Sequence, residues 1–306
     1  MGQVYRKQLV EGVTIPAIIH NGNYFLIQMA VYEDGTISCW HKSDLEQFKN
    51  DLKKGWVVPE VPTGKNISVH GLGDFPVKEA EWSYNSKAYY NHVKEVVQIL
   101  NPEMKNLYHT TQREIDKWKK ARVVWSGSPT PCKQKEGLGY NLLKGDGCYI
   151  FFRQNGQLSL TYLTIYEDKT AKLEITGEES YTQEQIHKQI EQNLLCTSPG
   201  QEEWVMIEGL GKVLLAPSEY GKLPIEEKKK EIDSMFLQVA GEKTPHDRCM
   251  DAYYQYLVEP SDWSRERLRE AYEAVPAHER MYLGDMDTKD RDFVRILYHP
   301  ENKREV

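Results

Sequence analysis

The sequence predicts an α+β protein built from two tandem copies of a mainly antiparallel sheet with packing helices, followed by a mostly helical C-terminal segment. The first observation is a repeated stretch: residues 21–36 and 155–170 align without a gap and are identical at seven of sixteen positions. Unrelated segments would share roughly one position. The second is that strand patterns precede helix patterns in each copy, which is typical of α+β proteins. The third is that residues 244–306 have helical patterns and no counterpart in either copy.

The repeat extends well beyond its first stretch. The copies align at an offset of 134, and after four added residues in the second copy the offset becomes 138. At that offset Gly71-Leu72-Gly73 aligns with Gly209-Leu210-Gly211, and after one more added residue the apolar positions of a second helix coincide. Both insertions fall in predicted loops. A whole folding unit is therefore expected to be duplicated.

Each copy begins with a predicted β-meander. In the first copy its strands cover residues 14–19, 24–32 and 36–40, and the second of these is nearly continuous apolar sequence, as expected for a buried strand. Asn21-Gly22 and the equivalent Asn155-Gly156 each predict a tight hairpin turn, because both residue types tolerate positive φ.

A helix follows the meander in each copy, with a predicted capping box at its start. Ser43 with Glu46, and Thr182 with Gln185, have the residue types and spacing that satisfy the first free backbone amides. A further strand, the Gly-Leu-Gly turn, an extended segment and a second packing helix complete the unit.

The repeats also set the predicted domain boundaries. Residues 1–121 form the first repeat with a trailing helix over 112–121, residues 122–147 a linker rich in Gly, Pro, Ser and Lys, residues 148–243 the second repeat, and residues 244–306 the C-terminal segment. Helices are predicted over 245–257 and 262–275. Phe293–Tyr298 reads equally as a last strand or as a short amphipathic piece.

Composition excludes several classes of partner. The chain has 306 residues, of which 40% are apolar and 28% charged, so a folded protein is expected. A net charge of −7 argues against nucleic acid or an anionic membrane as a partner, since both require a cationic face. The basic runs at 117–120 and 228–230 are predicted to be solvated helix faces. The first residues lack the apolar core of a signal peptide, and no run is long and apolar enough to span a membrane.

The cysteines indicate a compartment rather than a site. Five scattered cysteines without a C-x-x-C pair favour a reducing, cytoplasmic environment. Cys132, beside Pro131 in the predicted linker, is expected to be an exposed thiol without a catalytic partner.

The duplication gives an internal test of candidate sites, because a residue used for chemistry in both copies should keep its type. Glu33-Asp34 and Glu167-Asp168 are predicted to form turns, since adjacent residues of a strand point to opposite faces. The Gly-Leu-Gly segments lack the further glycines and the Lys-Ser of a phosphate loop, so tight turns are expected. Cys39, His41 and His70 face Leu173, Ile175 and Glu208, so the copies cannot share a metal site. No catalytic residue, metal or cofactor is predicted.

The one unusual stretch outside the repeats lies near the C-terminus. Aspartates at 285, 287, 290 and 292 suggest calcium, but Lys289 occupies a ligand position of the EF-hand loop, and a turn or helix cap is expected. A binding patch outside the repeats is predicted to consist of Arg280, Asp285, Asp287, Asp290 and Arg291.

Three segments carry a resemblance to known families. These are the Tyr32–Thr36 hairpin with Trp40, the Gly-Leu-Gly turn, and the tail from Tyr272-Glu273-Ala274-Val275-Pro276 to Leu283-Gly284-Asp285-Met286-Asp287. Together they resemble bacterial families known only as domains of unknown function. The resemblance implies a bacterial or phage origin and supplies no catalytic residue. Some such families are similar in style to immunity proteins of toxin systems.

Two functional hypotheses follow. The first is a cytoplasmic protein-binding protein, immunity- or inhibitor-like, because no catalytic set is duplicated and 19 Tyr and 7 Trp suit an interface. The alternative is an enzyme or small-ligand binder with a site in the cleft between the repeats, where pockets commonly occur. A structural subunit of a larger assembly is a third. Binding is favoured over catalysis, and the oligomeric state is left open.

Overall fold

The computed structural model describes residues 2–6, 10–121, 129–134, 142–177, 179–218, 223–285 and 288–302. The chain divides into two compact units, residues 1–222 and residues 223–306. The first unit contains the sheet strands of both repeats, and the second is helical throughout its described part apart from turns and loops.

The elements of the first repeat follow the predicted order. They are β1 (Gln3–Arg6), β2 (Val10–Asn21), β3 (Asn23–Tyr32), β4 (Ile37–Cys39), β5 (His41–Ser43), α1 (Leu45–Lys54), β6 (Val57–Val58), β7 (Asn66–Val69), β8 (Gly73–Trp82), α2 (Ser86–Leu100) and α3 (Gln112–Ala121). The last of these has the bounds predicted from the sequence.

The second repeat has the same order of elements from its first hairpin to its last helix, except that a 3-10 turn replaces the short strand β5. They are β9 (Cys132–Gln134), β10 (Leu142–Gln154), β11 (Gln157–Tyr166), β12 (Ala171–Leu173), a 3-10 turn (Glu174–Thr176), α4 (Gln183–Glu191), β13 (Leu195–Cys196), β14 (Glu203–Ile207), β15 (Gly211–Leu215) and α5 (Ile225–Val239). The predicted α+β class and the tandem duplication are confirmed.

The two repeats share one sheet. Its order is β1-β2-β3-β7-β8-β15-β14-β11-β10-β13, so β2-β3-β7-β8 of the first repeat is mirrored by the equivalent strands of the second. The equivalent strands β8 and β15 meet antiparallel at the centre, where Val77 pairs with Leu215, the residue at the same position in the second repeat. Because the two members of this pair are counterparts, the repeats are related here by a local twofold axis. Only β3 with β7 and β11 with β14 pair in parallel among the described strands, so the sheet is mainly antiparallel.

Both repeats contribute to one apolar core. Phe75 of β8 and Phe151 of β10 are fully buried and contact each other edge to face, with ring centroids 5.2 Å apart. The hydroxyl of Tyr89 on α2 donates a hydrogen bond of 2.7 Å to the carbonyl of Pro16 on β2. The first unit is therefore held together across the repeats as well as within them.

The repeated Tyr-Glu-Asp-x-Thr segment forms the same turn in both copies. In each, the tyrosine carbonyl accepts from the amide three residues on (2.9 and 2.8 Å), and the aspartate carboxylate accepts from the threonine amide (3.1 and 3.2 Å). The glutamate carboxylate accepts an amide of the preceding strand at 3.1 Å in each copy. The repeated acids therefore close a turn, as predicted.

The first hairpin of each repeat forms where the sequence predicts it, but the two bends differ in length. Asn155 and Gly156 both have positive φ (51° and 77°), as expected for a two-residue turn. In the first copy Asn21 pairs with Asn23 and Gly22 alone lies between them, with φ 76°. The predicted tight hairpin is present in both copies, but in the first its bend is one residue shorter and depends on a single glycine.

Two expectations need correction. Helix α1 is capped by Asp44, whose carboxylate accepts the amide of Gln47 at 2.7 Å, rather than by Ser43; the capping box at Thr182 is present as predicted. Cys132 is buried, not exposed, because β9 pairs with the start of β10 inside the predicted linker. The other linker residues, 122–128 and 135–141, lie outside the described part of the chain.

The second unit consists of α5, α6 (Pro245–Val258), α7 (Asp262–Ala274), a 3-10 turn (Arg280–Tyr282) and α8 (Arg291–Tyr298). Residues 293–298 are therefore helical, which resolves the predicted ambiguity in favour of an amphipathic piece: Phe293, Ile296 and Leu297 are buried. Helix α5 is the sequence equivalent of α2 but belongs to this unit. The predicted domain boundaries were drawn from the repeats, whereas the two compact units are defined by contacts within the structure. The predicted boundaries therefore remain a prediction. No helix in the described ranges has the length and apolar character needed to cross a membrane.

Candidate ligand-binding cleft

The predicted C-terminal patch is organised around Tyr272 of α7. The Tyr272 hydroxyl donates to the Asp290 carboxylate at 2.8 Å, and the Arg280 guanidinium lies 4.8 Å from the Tyr272 ring centroid. Arg280 also donates to two backbone carbonyls at the end of α7. Arg280 and Asp290 are thus joined through one aromatic ring, where they stabilise the fold of the second unit.

The other members of the patch are placed separately. The Asp285 carboxylate accepts from the backbone amide and hydroxyl of Thr288, which closes a turn. Arg291 is exposed at the first residue of α8. Asp287 lies outside the described residues. The role of the patch in binding stays a prediction.

The first unit contains the concave pocket that the ligand hypothesis requires. A cleft of about 970 Å³ is lined by Gln3 and Val13 of the first repeat and, from the second repeat, by residues that include Lys133, Asp168 and Glu174. Its volume falls in the usual range for small-molecule sites. Hereafter "the cleft" means this pocket.

One wall of the cleft is fixed by an ion pair. The Lys133 ammonium lies 2.7 Å from the Asp168 carboxylate, donates to the Thr170 hydroxyl at 2.7 Å, and lies over the Tyr166 ring. Burial would raise the pKa of Asp168, but the hydrogen bonds from Lys133 and Thr170 hold it below its usual value. This carboxylate therefore stays charged and paired at neutral pH.

Glu174 is the unusual acid of the cleft. It follows β12 at the first position of a 3-10 turn, is partly buried, and accepts a hydrogen bond of 3.4 Å from the Thr14 hydroxyl of the other repeat. Burial raises its pKa to about 7, and the nearby Glu208 acts in the same direction, against the positive charge of the chain's N-terminus and hydrogen bonds from Gly2 and Thr14. Near neutral pH this side chain is therefore present in both charged and uncharged forms. Strongly shifted acids in clefts are concentrated at functional sites.

Glu174 also lines a small cavity, called the chamber here, which has about 10 Å³ for the centre of a water-sized group. The chamber is bordered by two equivalent cross-strand pairs, Pro16 with Gln28 and Tyr149 with Tyr162, one from each repeat. It therefore lies where the two hairpins face each other. Its size admits one water-sized group.

Three residues of the chamber lining each carry an unsatisfied polar atom. Gln28 Oε1, the Tyr149 hydroxyl and Glu208 Oε2 are buried and have no hydrogen-bond partner among the described residues. Tyr162, the cross-strand neighbour of Tyr149, does have a hydrogen-bond partner, because its hydroxyl donates to the Gly147 carbonyl at 2.7 Å. Each unsatisfied buried group costs about 1–3 kcal/mol, so an occupant that satisfies several of them at once is strongly favoured.

The comparison of the two copies did not find these acids. Glu174 is equivalent to Trp40 and Glu208 to His70, so a search for residue types retained in both copies discards them. The useful signal in the sequence was a difference between the copies rather than a retained residue. A carboxylate that replaces an aromatic residue at an otherwise matching position marks where one copy has departed from the shared structure.

A family model described as Domain of unknown function (DUF7638) matches residues 1–104 and 133–243. The chain belongs to this family. A second model, Domain of unknown function (DUF7639), matches residues 244–305. The predicted resemblance to domains of unknown function is thereby confirmed, and each of the two DUF7638 segments overlaps one repeat. Searches of the curated proteins and of the solved structures found no match.

A buried charge cluster connects the DUF7638 and DUF7639 segments within the second unit. Lys228 of α5 is fully buried and its ammonium lies 3.0 Å from the Glu231 carboxylate, which is also 3.0 Å from His278 Nε2. The prediction of a solvated basic run at 228–230 is therefore wrong at Lys228. Its stem and charge are enclosed because Glu231, one turn further on, compensates the ammonium.

This cluster also contains the ligand types of a metal site. Glu231, His278 and Glu279 offer atoms within 4.8 Å of one another. The Lys228 ammonium already contacts both oxygens of Glu231, at 3.0 and 3.1 Å. A divalent cation would have to displace that ammonium, so the arrangement favours an internal ion pair over metal binding.

Proposed function

We propose that the protein binds a small polar molecule in the cleft between its two repeats, in the cytoplasm of a bacterium or phage-infected cell. The observation that carries the proposal is Glu174, a half-buried acid with its pKa near neutrality on the wall shared by the cleft and the chamber. Maintaining such an acid costs stability, and a bound ligand with a complementary group compensates for that cost.

Binding is proposed in preference to catalysis. Cys132 lines the cleft, but burial raises the pKa of its thiol, so the nucleophilic thiolate is scarce at neutral pH. Lys133 is held by Asp168 and Thr170. The described residues of the cleft thus contain a recognition group in Glu174 without an activated nucleophile beside it.

The test is a ligand screen with two matched variants. Purified protein is screened by thermal denaturation against free amino acids, short amines, organic acids, sugars and nucleosides, and hits are measured by calorimetry. Glu174→Gln is expected to weaken a hit at least tenfold, because a hydrogen bond to a charged group contributes about 1.5–3 kcal/mol. Glu184→Gln, an exposed site on α4 outside the cleft, should leave the affinity unchanged. A hit that binds both variants equally, or a screen without a hit, contradicts the proposal.

A specific surface of the second unit supports the protein-binding candidate as well. On α6 the large apolar residues Tyr254, Leu257 and Val258 are exposed by 58, 52 and 86%, and Trp263 at the start of α7 by 61%. The first three share one helix face because they are spaced i, i+3 and i+4. Exposed Glu259 and Asp262 border them. We propose that this surface fits a partner protein with an apolar centre and a basic rim, as an immunity- or inhibitor-like role requires.

The partner proposal is tested by introducing a negative charge into the apolar face. Leu257→Asp is expected to raise the dissociation constant for a purified partner at least a hundredfold, since central apolar contacts dominate interface energies. Asn302→Asp, at an exposed residue beyond α8, introduces the same charge as a control. Candidates retained from a cell extract count only if the purified pair associates. Equal binding of the two variants would place the interface elsewhere.

A further inference from the structure

We propose that the chamber binds a primary ammonium group, so that the ligands of the cleft are small primary amines. This inference rests on the proposed ligand-binding function and specifies the chemical class that the site accepts.

The chamber lining contains polar groups that can accept hydrogen bonds, set among apolar residues. Glu208 Oε2, Gln28 Oε1 and the Tyr149 hydroxyl belong to residues that line it and have no partner among the described residues, and Glu174 belongs to the same lining. An ammonium group has three donors and no acceptor, which matches this set. Two carboxyl groups also supply the negative charge that a cation needs in a buried site.

Tyr149 shows that the arrangement is more than a group of exposed acids. Its side chain is only 6% exposed, and burial raises its pKa well above the usual value, so the hydroxyl stays neutral. A neutral hydroxyl can accept from an ammonium while its own proton points to a carboxylate. The unsatisfied buried hydroxyl is the independent sign that the chamber holds a ligand group.

The size of the chamber restricts the class further. About 10 Å³ for the centre of a water-sized group admits an –NH3+ but not a trimethylated nitrogen or a guanidinium plane. Glu174 borders both spaces, so the ammonium would occupy the chamber while the rest of the molecule stays in the cleft.

The test compares methylammonium chloride with tetramethylammonium chloride and sodium chloride at equal ionic strength. Methylammonium is expected to raise the melting temperature saturably, with a dissociation constant in the millimolar range, the best that a ligand of two non-hydrogen atoms reaches. Tetramethylammonium and sodium should give no saturable effect. A response shared by all three salts overturns the proposal.

Two variants locate the effect. Tyr149→Phe removes only the unsatisfied hydroxyl and should weaken methylammonium at least tenfold. Tyr108→Phe is the matched control, because the Tyr108 hydroxyl donates to Glu114 at 3.0 Å away from the chamber lining, and it should leave the dissociation constant unchanged. Equal dissociation constants for the two variants overturn the proposal and indicate a structural water in the chamber. If the screen finds a Glu174-dependent neutral or anionic ligand while methylammonium fails, ligand binding stands and the ammonium assignment falls.

Discussion

Replacing Phe151 with alanine is expected to lower the free energy of unfolding of the first unit by about 3–5 kcal/mol. The Phe151 ring is fully buried and contacts Phe75 of the other repeat at 5.2 Å, so its removal leaves a cavity bordered by both repeats. Urea denaturation followed by tryptophan fluorescence measures the effect, because every tryptophan except Trp263 belongs to the first unit.

The matched control is the same substitution at Phe25, which is only partly buried and contacts Trp40. A smaller loss, about 1–2 kcal/mol, is expected there, since less apolar area leaves water. The unfolding transition of Phe151→Ala should remain single, because both repeats share the core. Two separate transitions, or equal losses for the two variants, would show that the repeats fold independently.

Features decided by neighbouring residues were predicted well from the sequence. The Tyr-Glu-Asp-x-Thr turns depend on hydrogen bonds within a few residues, and the two copies give matching geometry. Helix α3 has the predicted bounds for the same reason. The hairpin at Gly22 was predicted, but the length of its bend was not, because one residue more or less changes the turn without changing the apolar pattern of its strands.

Features decided by distant contacts could not be predicted. The pairing of β8 with β15 joins segments far apart in sequence, and either strand could equally have formed an edge. Helices α2 and α5 occupy equivalent sequence positions with similar apolar spacing, yet α5 belongs to the second unit. Local patterns specify which face of an element is apolar but not which neighbour covers it.

The candidate site was missed for a related reason. Comparing the copies rests on the assumption that a useful residue is retained in both, whereas Glu174 and Glu208 occur in the second copy alone. The chamber requires different residues from each side: Gln28 from one hairpin and Tyr149 from the other. After duplication one copy is free to diverge, so a functional site at the contact between copies is expected to be asymmetric.

Replacing Lys228 with methionine is expected to lower the free energy of unfolding of the second unit by about 3–5 kcal/mol at neutral pH. Methionine fills similar space, but Glu231 loses the ammonium 3.0 Å away and becomes a buried charge supported by His278 alone. Native-state hydrogen exchange of the amides of α5 to α7 measures the loss, because their protection reports opening of this unit.

Two further variants separate charge from packing. Lys230→Met makes the same substitution two residues away in α5, at a partly exposed ion pair with Glu227, and should cost less than about 1 kcal/mol. Adding Glu231→Leu to Lys228→Met should restore most of the lost stability, since no buried charge is left unpaired. A double variant as unstable as the single one would assign the loss to packing.

The pH dependence of the Lys228→Met variant distinguishes the loss of a charge partner from a loss of packing. Burial alone would raise the pKa of Glu231, but in the native protein Lys228 and His278 hold it below its usual value. Glu231 therefore contributes to the free energy of unfolding above its pKa in the unfolded chain, and this contribution is lost as the pH falls through its lower pKa in the folded protein. Without Lys228 burial dominates, the pKa rises, and folding then favours the protonated acid. The deficit of the variant should accordingly shrink on acidification, whereas a deficit caused by packing would stay constant with pH.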